Sequence, residues 1–355
     1  MKEVKKVAIH HRHGSFSDIW IEYFLENNIP YVLVNCYDSD IIDRLEGCAG
    51  LMWHWDLNDY QAPLMARQLT YSLQQKGVKV YPDFFTSWHY DDKVGQKYLL
   101  EAIKAPLVKS YVFFSKNKAL QWAETATFPK VFKLRNGASS SNVLLAENRE
   151  VAKSLIRKAF GKGFAPWNSV RRLDRSISVL KQEKDLVALK RVLAGTVRLA
   201  VPKENENLLT REKGYAYFQD FLPGNTFDIR TVVIGDRCFG AKRFCRPGDF
   251  RASGSGIFTY NPQCIGEDIV RISFEVAEKL QTQSVAYDFI YDQGEPRIVE
   301  ISYCFALECC DDTPGYWDKN LYWHEGKMNL QKCIAEDFLQ SLHIGKPLAP
   351  TKVII

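Results

Sequence analysis

The chain has 355 residues, 46% of them hydrophobic and 25% charged, with a formal net charge of +5. Such a composition can bury the cores of two or three domains and excludes a disordered, collagenous or disulfide-stapled chain. The mild basicity is spread along the sequence, so no nucleic-acid partner is called for and anionic small molecules are the simpler expectation. Nine cysteines without a CxxC ladder, with Cys304, Cys309 and Cys310 clustered and the rest scattered, read as the reduced thiols of a cytoplasmic protein. Met1 to Lys6 lead into a strand rather than a signal peptide, and no apolar run approaches about 18 residues, so neither export nor membrane insertion is expected.

In chain order, the pattern predicts strands at Lys6–His10, Tyr31–Cys36, Gly50–Trp55 and Val78–Tyr81, alternating with helices at Phe16–Glu26, Asp40–Leu45 and Gln61–Gln75. This βαβα order implies an N-terminal parallel-sheet α/β domain over residues 1–90, whose ligands collect at the carboxyl ends of the strands. Two places fit that description. The loop His10-His11-Arg12-His13-Gly14-Ser15 is cationic or potentially so, and Ser15 or Ser17 is a candidate cap for the next helix, so His11, Arg12, His13 and Ser15 are candidates to receive a carboxylate or phosphate. The same loop also reads as a solvated turn, and it lacks the Cys, Asp or Glu spacing of a zinc site. His54, within Trp53-His54-Trp55-Asp56 at the end of the third strand, either lines a substrate pocket or packs.

From Asp91 a helix runs to about Lys104, followed by a strand at Val108–Phe114. Another strand, Phe128–Arg135, carries Lys133 into Asn136-Gly137-Ala138-Ser139-Ser140-Ser141-Asn142, a small flexible loop of the kind that brings backbone N–H groups close to phosphate oxygens. After a helix at Glu150–Phe160, residues 164–213 form a basic insertion with one expected helix at Ile177–Leu193. Strands follow at Tyr215–Phe221, at Phe227–Ile234 with Asp228 and Arg230 on one face, and at Cys238–Phe244 with Lys242 and Arg243, then a helix at Phe274–Leu280.

Ala286–Asp292 and Arg297–Ser302 read as a hairpin. A three-residue loop at Gln293–Glu295 pairs Asp292 with Pro296 and, further back, Asp288 with Glu300. Directly opposed carboxylates lie roughly 5 Å apart at Cβ and repel unless a cation sits between them, and Mg²⁺ suits that oxygen-rich arrangement. Two carboxylates on a solvated face are the plainer alternative.

The order Lys93, Lys133 with its Gly/Ser loop, Tyr217-Phe218-Gln219-Asp220-Phe221-Leu222-Pro223-Gly224, Asp228-Ile229-Arg230, then Asp288 and Glu300 resembles the ATP-grasp family over roughly residues 90 to 305. The run from Phe227 through Lys242-Arg243 to Gly248-Asp249-Phe250-Arg251 looks most like its ribosomal-protein glutamate ligases. The resemblance implies a two-lobed module after the α/β domain, with the small lobe at 91–214 and the large lobe at 215–355. It implies that Lys93 and Lys133 hold ATP phosphates under a loop formed by Gly137, Ser139, Ser140 and Ser141. Gln219, Asp220, Phe221 and Leu222 would meet the adenine, with Asp228 near the ribose and Arg230 beside it. Lys242, Arg243 and Arg251 would act on the transferred phosphate or acyl group, and Asp288, Glu300 and Ser302 would hold Mg²⁺. Ser302 stands where the family usually has asparagine, and the loop has serines where glycines are typical.

The activity implied is ATP-dependent carboxylate–amine ligation through an acyl phosphate, with small-molecule co-substrates and, as is common in such ligases, a homodimer. The aromatic tail from Asp311 to Gly326 is similar to tails of ATP-grasp proteins associated with surface polysaccharide synthesis, and it reads as a packed C-terminal extension or as a wall of the acceptor pocket; the acid is expected to be a uronic-acid sugar or an amino acid. The alternatives are a small-molecule kinase on the same fold and a nucleotide-binding protein without turnover.

Overall fold

The computed structural model describes residues 6–56, 59, 61–136, 143–164, 211–252, 255–307 and 312–344. The expected loop residues Gly137, Ser139, Ser140 and Ser141 and the helix expected at 177–193 lie outside them. Packing divides the chain into a unit made of 1–90 with 226–355 and a unit made of 91–225.

In the first unit, β1 (Val7–His10), β2 (Tyr31–Val34), β3 (Gly50–Met52) and β4 (Lys79–Tyr81) form a parallel sheet in the order β2-β1-β3-β4. Helices α1 (Phe16–Glu26), α2 (Ile41–Arg44) and α3 (Ala62–Gln75) connect them, and α4 (Phe84–Ser87) follows. All four residues of β1 are buried, as a strand covered on both faces requires.

The second sheet of this unit runs β13-β12-β9-β10-β14-β15. Its strands are β9 (Phe227–Ile234), β10 (Arg237–Phe244), β12 (Ser284–Asp292), β13 (Glu295–Ser302), β14 (Gly315–Trp317) and β15 (Trp323–Glu325), with β11 (Phe258–Thr259) also paired to β10. Helix α8 (Glu267–Leu280) begins seven residues before the expected helix and buries Ile269, Val270, Ser273 and Val276. Helix α9 (Leu330–Ser341) is what ties residues far apart in sequence into one unit. Leu330, Ile334 and Phe338 recur at helical spacing and share a core with Trp20 and Phe24 of α1, Val232 of β9 and Phe239 of β10. The Trp20 indole N–H donates to the Gln331 carbonyl at 3.1 Å inside that contact. Each such apolar side chain contributes about 1.5–3 kcal/mol by leaving water.

The second unit contains α5 (Lys93–Ala102), β5 (Ser110–Phe113), α6 (Lys116–Thr125), β6 (Lys130–Lys133), β7 (Val143–Ala146), α7 (Arg149–Phe160) and β8 (Ala216–Asp220). Its sheet is antiparallel, in the order β5-β8-β6-β7. Phe132, Phe218, Ile156 and the small faces of Ala119 and Ala123 fill its core. Among the described residues no helix is long and apolar enough to cross a membrane.

Candidate active site

In the second unit two lysines are nearly removed from solvent: Lys93, on the first turn of α5, is 5% exposed and Lys133, at the end of β6, is 4% exposed. Asp92 caps α5 by accepting from the Gly95 N–H at 2.9 Å. The Lys93 N–H donates to the Arg135 carbonyl at 3.0 Å, which fixes the start of α5 against the end of β6. Two nearly buried lysines on adjoining backbone concentrate positive charge in a way that suits a polyanion. Next to β6, Gln219 of β8 sits opposite Val131, is buried, and donates to the Ser110 hydroxyl at 3.2 Å. Asp220 accepts from Lys130 at 2.7 Å, so this carboxylate already has a cation.

In the first unit the strand period brings Asp228, Arg230, Arg243, Asp288 and Glu300 to one face of the second sheet. Asp228 pairs across the ladder with Arg243, Arg230 with Asp288, and Asp288 with Glu300. Arg243 is 2% exposed and holds both Asp228 oxygens at 2.6 Å through Nε and Nη2, while Nη2 reaches Asp288 at 2.9 Å. Arg230 holds the two Asp288 oxygens at 2.8 and 2.9 Å. Burial alone would raise the Asp288 carboxyl, but Arg230 and Arg243 outweigh it and hold the group well below the usual carboxylate range. Asp228 moves the other way, pushed up by burial against the pull of Arg243, with the Asp288 charge adding to the rise. Lys242 lies on the opposite face from Arg243, with its ammonium 3.7 Å from the Phe227 ring centroid. Arg251, on the segment after β10, is folded onto Asp249 at 2.8 and 2.9 Å.

The hairpin differs from the expected one in its turn. Asp292 pairs with Glu295 across a two-residue turn, Gln293-Gly294, with φ of 52° and 90° as a type I′ turn requires. That turn alone would put Asp288 opposite Val299. A bulge between Asp288 and Phe289 on the ladder inserts one extra residue, Val299, and restores the rung of Asp288 with Glu300. The opposed carboxylates are real, and Arg230 and Arg243 supply a counter-charge the sequence did not reveal.

The chemistry of the donor set fits a hard divalent cation. A carboxylate has roughly four lone-pair sites, and the guanidiniums use three of those on Asp288. Glu300 faces it, and Ser302 lies one period further along the same edge. The Ser302 hydroxyl donates its proton to the Cys304 carbonyl at 2.6 Å, which leaves its oxygen lone pairs available to a metal.

At the N-terminal sheet, Ser15 caps α1, accepting from the Ser17 N–H at 3.2 Å. The other members of the loop meet acids of their own. His11 lies 2.8 Å and His13 3.6 Å from Asp18, which also accepts from the Gly14 N–H, and Arg12 pairs with Asp56 at 2.7 Å. His54 is a core residue: its ring stacks on Phe16 with centroids 3.8 Å apart, its Nδ1 accepts from the Phe16 N–H, and burial pushes its imidazole down to about 3.

No family model matches the sequence, and no curated protein matches it. Solved structures do. D-cycloserine synthetase is 10% identical, with 95% of this chain and 99% of that one aligned at a TM-score of 0.57. D-alanine–D-alanine ligase from Bacillus anthracis, also solved with ATP, is 11% identical over 96% of this chain and 99% of its own, with a TM-score of 0.52. A RimK domain ATP-grasp protein from Sphaerobacter thermophilus is 15% identical over 83% and 90%, with a TM-score of 0.51. The mixed α/β architecture expected from the sequence is therefore borne out, and the fold of this chain is the ATP-grasp fold.

Proposed function

We propose that this chain is an ATP-dependent carboxylate–amine ligase that joins its substrates through an acyl phosphate and releases ADP and phosphate. The observation that carries this reading is the near end-to-end likeness to two enzymes named as a synthetase and a ligase, in a chain that also buries both Lys93 and Lys133. Mg²⁺, when bound at Asp288, Glu300 and Ser302, neutralises phosphate charge. Lys93 and Lys133 hold the phosphates of ATP in line with the substrate carboxylate. The carboxylate oxygen forms its bond to the γ-phosphorus as the bond from that phosphorus to the β-phosphate oxygen breaks. The amine then attacks the acyl carbon and loses a proton, phosphate departs with the former carboxylate oxygen, and the amide remains. Arg251 is suited to the oxyanion of that step once it turns from Asp249, and closure over the site excludes the water that would hydrolyse the anhydride. Arg12 is the group suited to the acid, which on this reading belongs to a uronic-acid sugar or an amino acid used in surface polysaccharide synthesis.

The test is ATP consumption with Mg²⁺ across pooled carboxylic acids and amines, following ADP and phosphate together with the mass of any adduct. Phosphate release that needs both pools, with an adduct one water lighter than its parts, supports ligation. ADP without free phosphate overturns it in favour of a kinase. A second reading, nucleotide binding without turnover, is favoured by Ser302, which stands where the family usually has asparagine and whose hydroxyl is bonded to the Cys304 carbonyl. Ser302→Asn separates the two: activity appearing from nothing favours the second reading, and little change in an existing activity favours the first.

A further inference from the structure

The far end of the β9–β10 hairpin carries a cavity of about 440 Å³, within the size range of small-molecule sites. It lies five residues along the strand from Arg230, about 16 Å from the near edge of the Asp/Arg cluster. Its walls are Tyr81, the turn at Gly235, Arg237, Thr282-Gln283 and one side of α9.

Part of this wall is fully bonded. The Gln283 amide accepts from the Asp83 N–H at 2.8 Å and donates to the Val80 carbonyl at 2.9 Å, and the Tyr81 and Ser284 hydroxyls meet at 2.8 Å. Three polar atoms of the same wall have no partner among the described residues: Asp337 Oδ2, Arg237 Nε and Thr282 Oγ1. Buried polar atoms are satisfied in the great majority of cases, so three around one cavity call for a cause. Gly235 makes room for the acid, since a Cβ there would lie against Asp337 Oδ2.

Charge selects the ligand. Arg237 is the cation of the wall, and it serves two carboxylates, Asp337 at 2.5 Å and Glu336 at 3.9 Å. With two carboxylates to one guanidinium, this wall is short of positive charge, which favours a cation over an anion even though Arg237 Nε is itself unpaired. No group of three His, Cys, Asp or Glu side chains placed to hold a metal occurs among the described residues, so this wall offers no such set. Burial raises the Asp337 carboxyl despite Arg237, with the Asp236 charge adding to the rise. Ile334 and Phe338 supply an apolar floor.

We propose that this cavity binds a small primary amine on an apolar body, its ammonium against Asp337 and Thr282 and its body on Ile334 and Phe338. This site is independent of the ligase reading and stands or falls without it.

The test is isothermal titration of the full chain with benzylamine, and with benzyl alcohol and benzoate as matched neutral and anionic probes. Benzylamine should bind with a Kd of about 1 mM or tighter, a modest value for eight heavy atoms. Benzyl alcohol and benzoate should bind at least ten-fold more weakly. Asp337→Asn should weaken benzylamine about ten-fold. Gln340→Trp, on the exposed side of α9 at the cavity mouth, should abolish binding with the thermal midpoint unchanged, which protects the test should the Asp337 variant misfold. Benzoate binding as tightly as benzylamine, no binding by any probe, or benzylamine binding indifferent to both variants would overturn the proposal.

Discussion

Replacing Arg243 with leucine tests the buried ion cluster most directly. Arg243 is 2% exposed and makes two 2.6 Å contacts to Asp228 and one at 2.9 Å to Asp288. Leucine leaves Asp228, itself only 11% exposed at the side chain, beside Asp288 without its own cation. Breaking a buried pair from one side costs about 3–5 kcal/mol, because the remaining charge has lost both water and partner. Asp288 loses less, since Arg230 still grips both of its oxygens. The first unit spans roughly 220 residues, a size at which each kcal/mol moves the midpoint by about 2–4 °C, so Arg243→Leu should lower it by roughly 6–20 °C. Adding Asp228→Leu removes the stranded charge, and the double variant should recover most of the loss, since apolar replacements of a buried pair are often neutral. Thermal unfolding followed by circular dichroism at pH 7 measures all three. A single-variant shift below about 2 °C, or a double variant no better than the single, would refute the argument that Asp228 and Arg243 form one desolvated unit.

Glu300→Gln keeps the shape of the rung and removes one carboxylate, so Mg²⁺-dependent turnover should vanish; a kcat near wild type at saturating Mg²⁺ removes Glu300 from the metal site. Lys133→Ala should weaken ATP binding at least ten-fold by equilibrium titration, the loss of one charge-assisted contact, and an unchanged affinity would move the phosphates elsewhere. His54 gives a pH signature, because its folded value near 3 lies below the ordinary value of 6.5. Between those values the unfolded chain binds the extra proton, so stability falls as pH drops through that window, by up to about 1.4 kcal/mol per pH unit, and is flat above it. Melting curves of wild type and His54→Gln from pH 7 to 4.5 should show the shallower slope in the variant, and parallel slopes would contradict a neutral buried imidazole.

What could be read from the sequence was mostly local. The parallel sheet followed from alternating strands and helices, and the caps at Ser15 and Asp92 lie where short polar side chains precede helices. Helix α6 escaped because it buries only Ala119 and Ala123, too small to make an apolar stripe, although Ser115 at its cap was a usable signal. Helix α9 carries a legible local signal, with Leu330, Cys333, Ile334 and Phe338 at helical spacing after the cap at Asn329, which the elements expected above do not include. The counter-charges of Asp288 could not be found that way, because Arg230 and Arg243 come from strands 45 to 58 residues earlier and meet it only through the order of the sheet.

The rung of Asp288 with Glu300 shows the limit most sharply. Expected from a three-residue loop, it arises instead from a two-residue turn and one bulged residue, two one-residue changes in register that cancel. A turn without the bulge would have sent Glu300 to the other face, away from Asp288, since a slip of one residue reverses every side chain. Gln293-Gly294 is the sequence signature of the short turn, but nothing local marks Val299 as the extra residue. The bulge is held by what lies on the two faces: Ile298 and Ile301 are buried on strand β13 on either side of it, and each must keep its side chain in the core. Packing thus selects the register, and the facing carboxylates follow from two apolar residues that have no part in the chemistry.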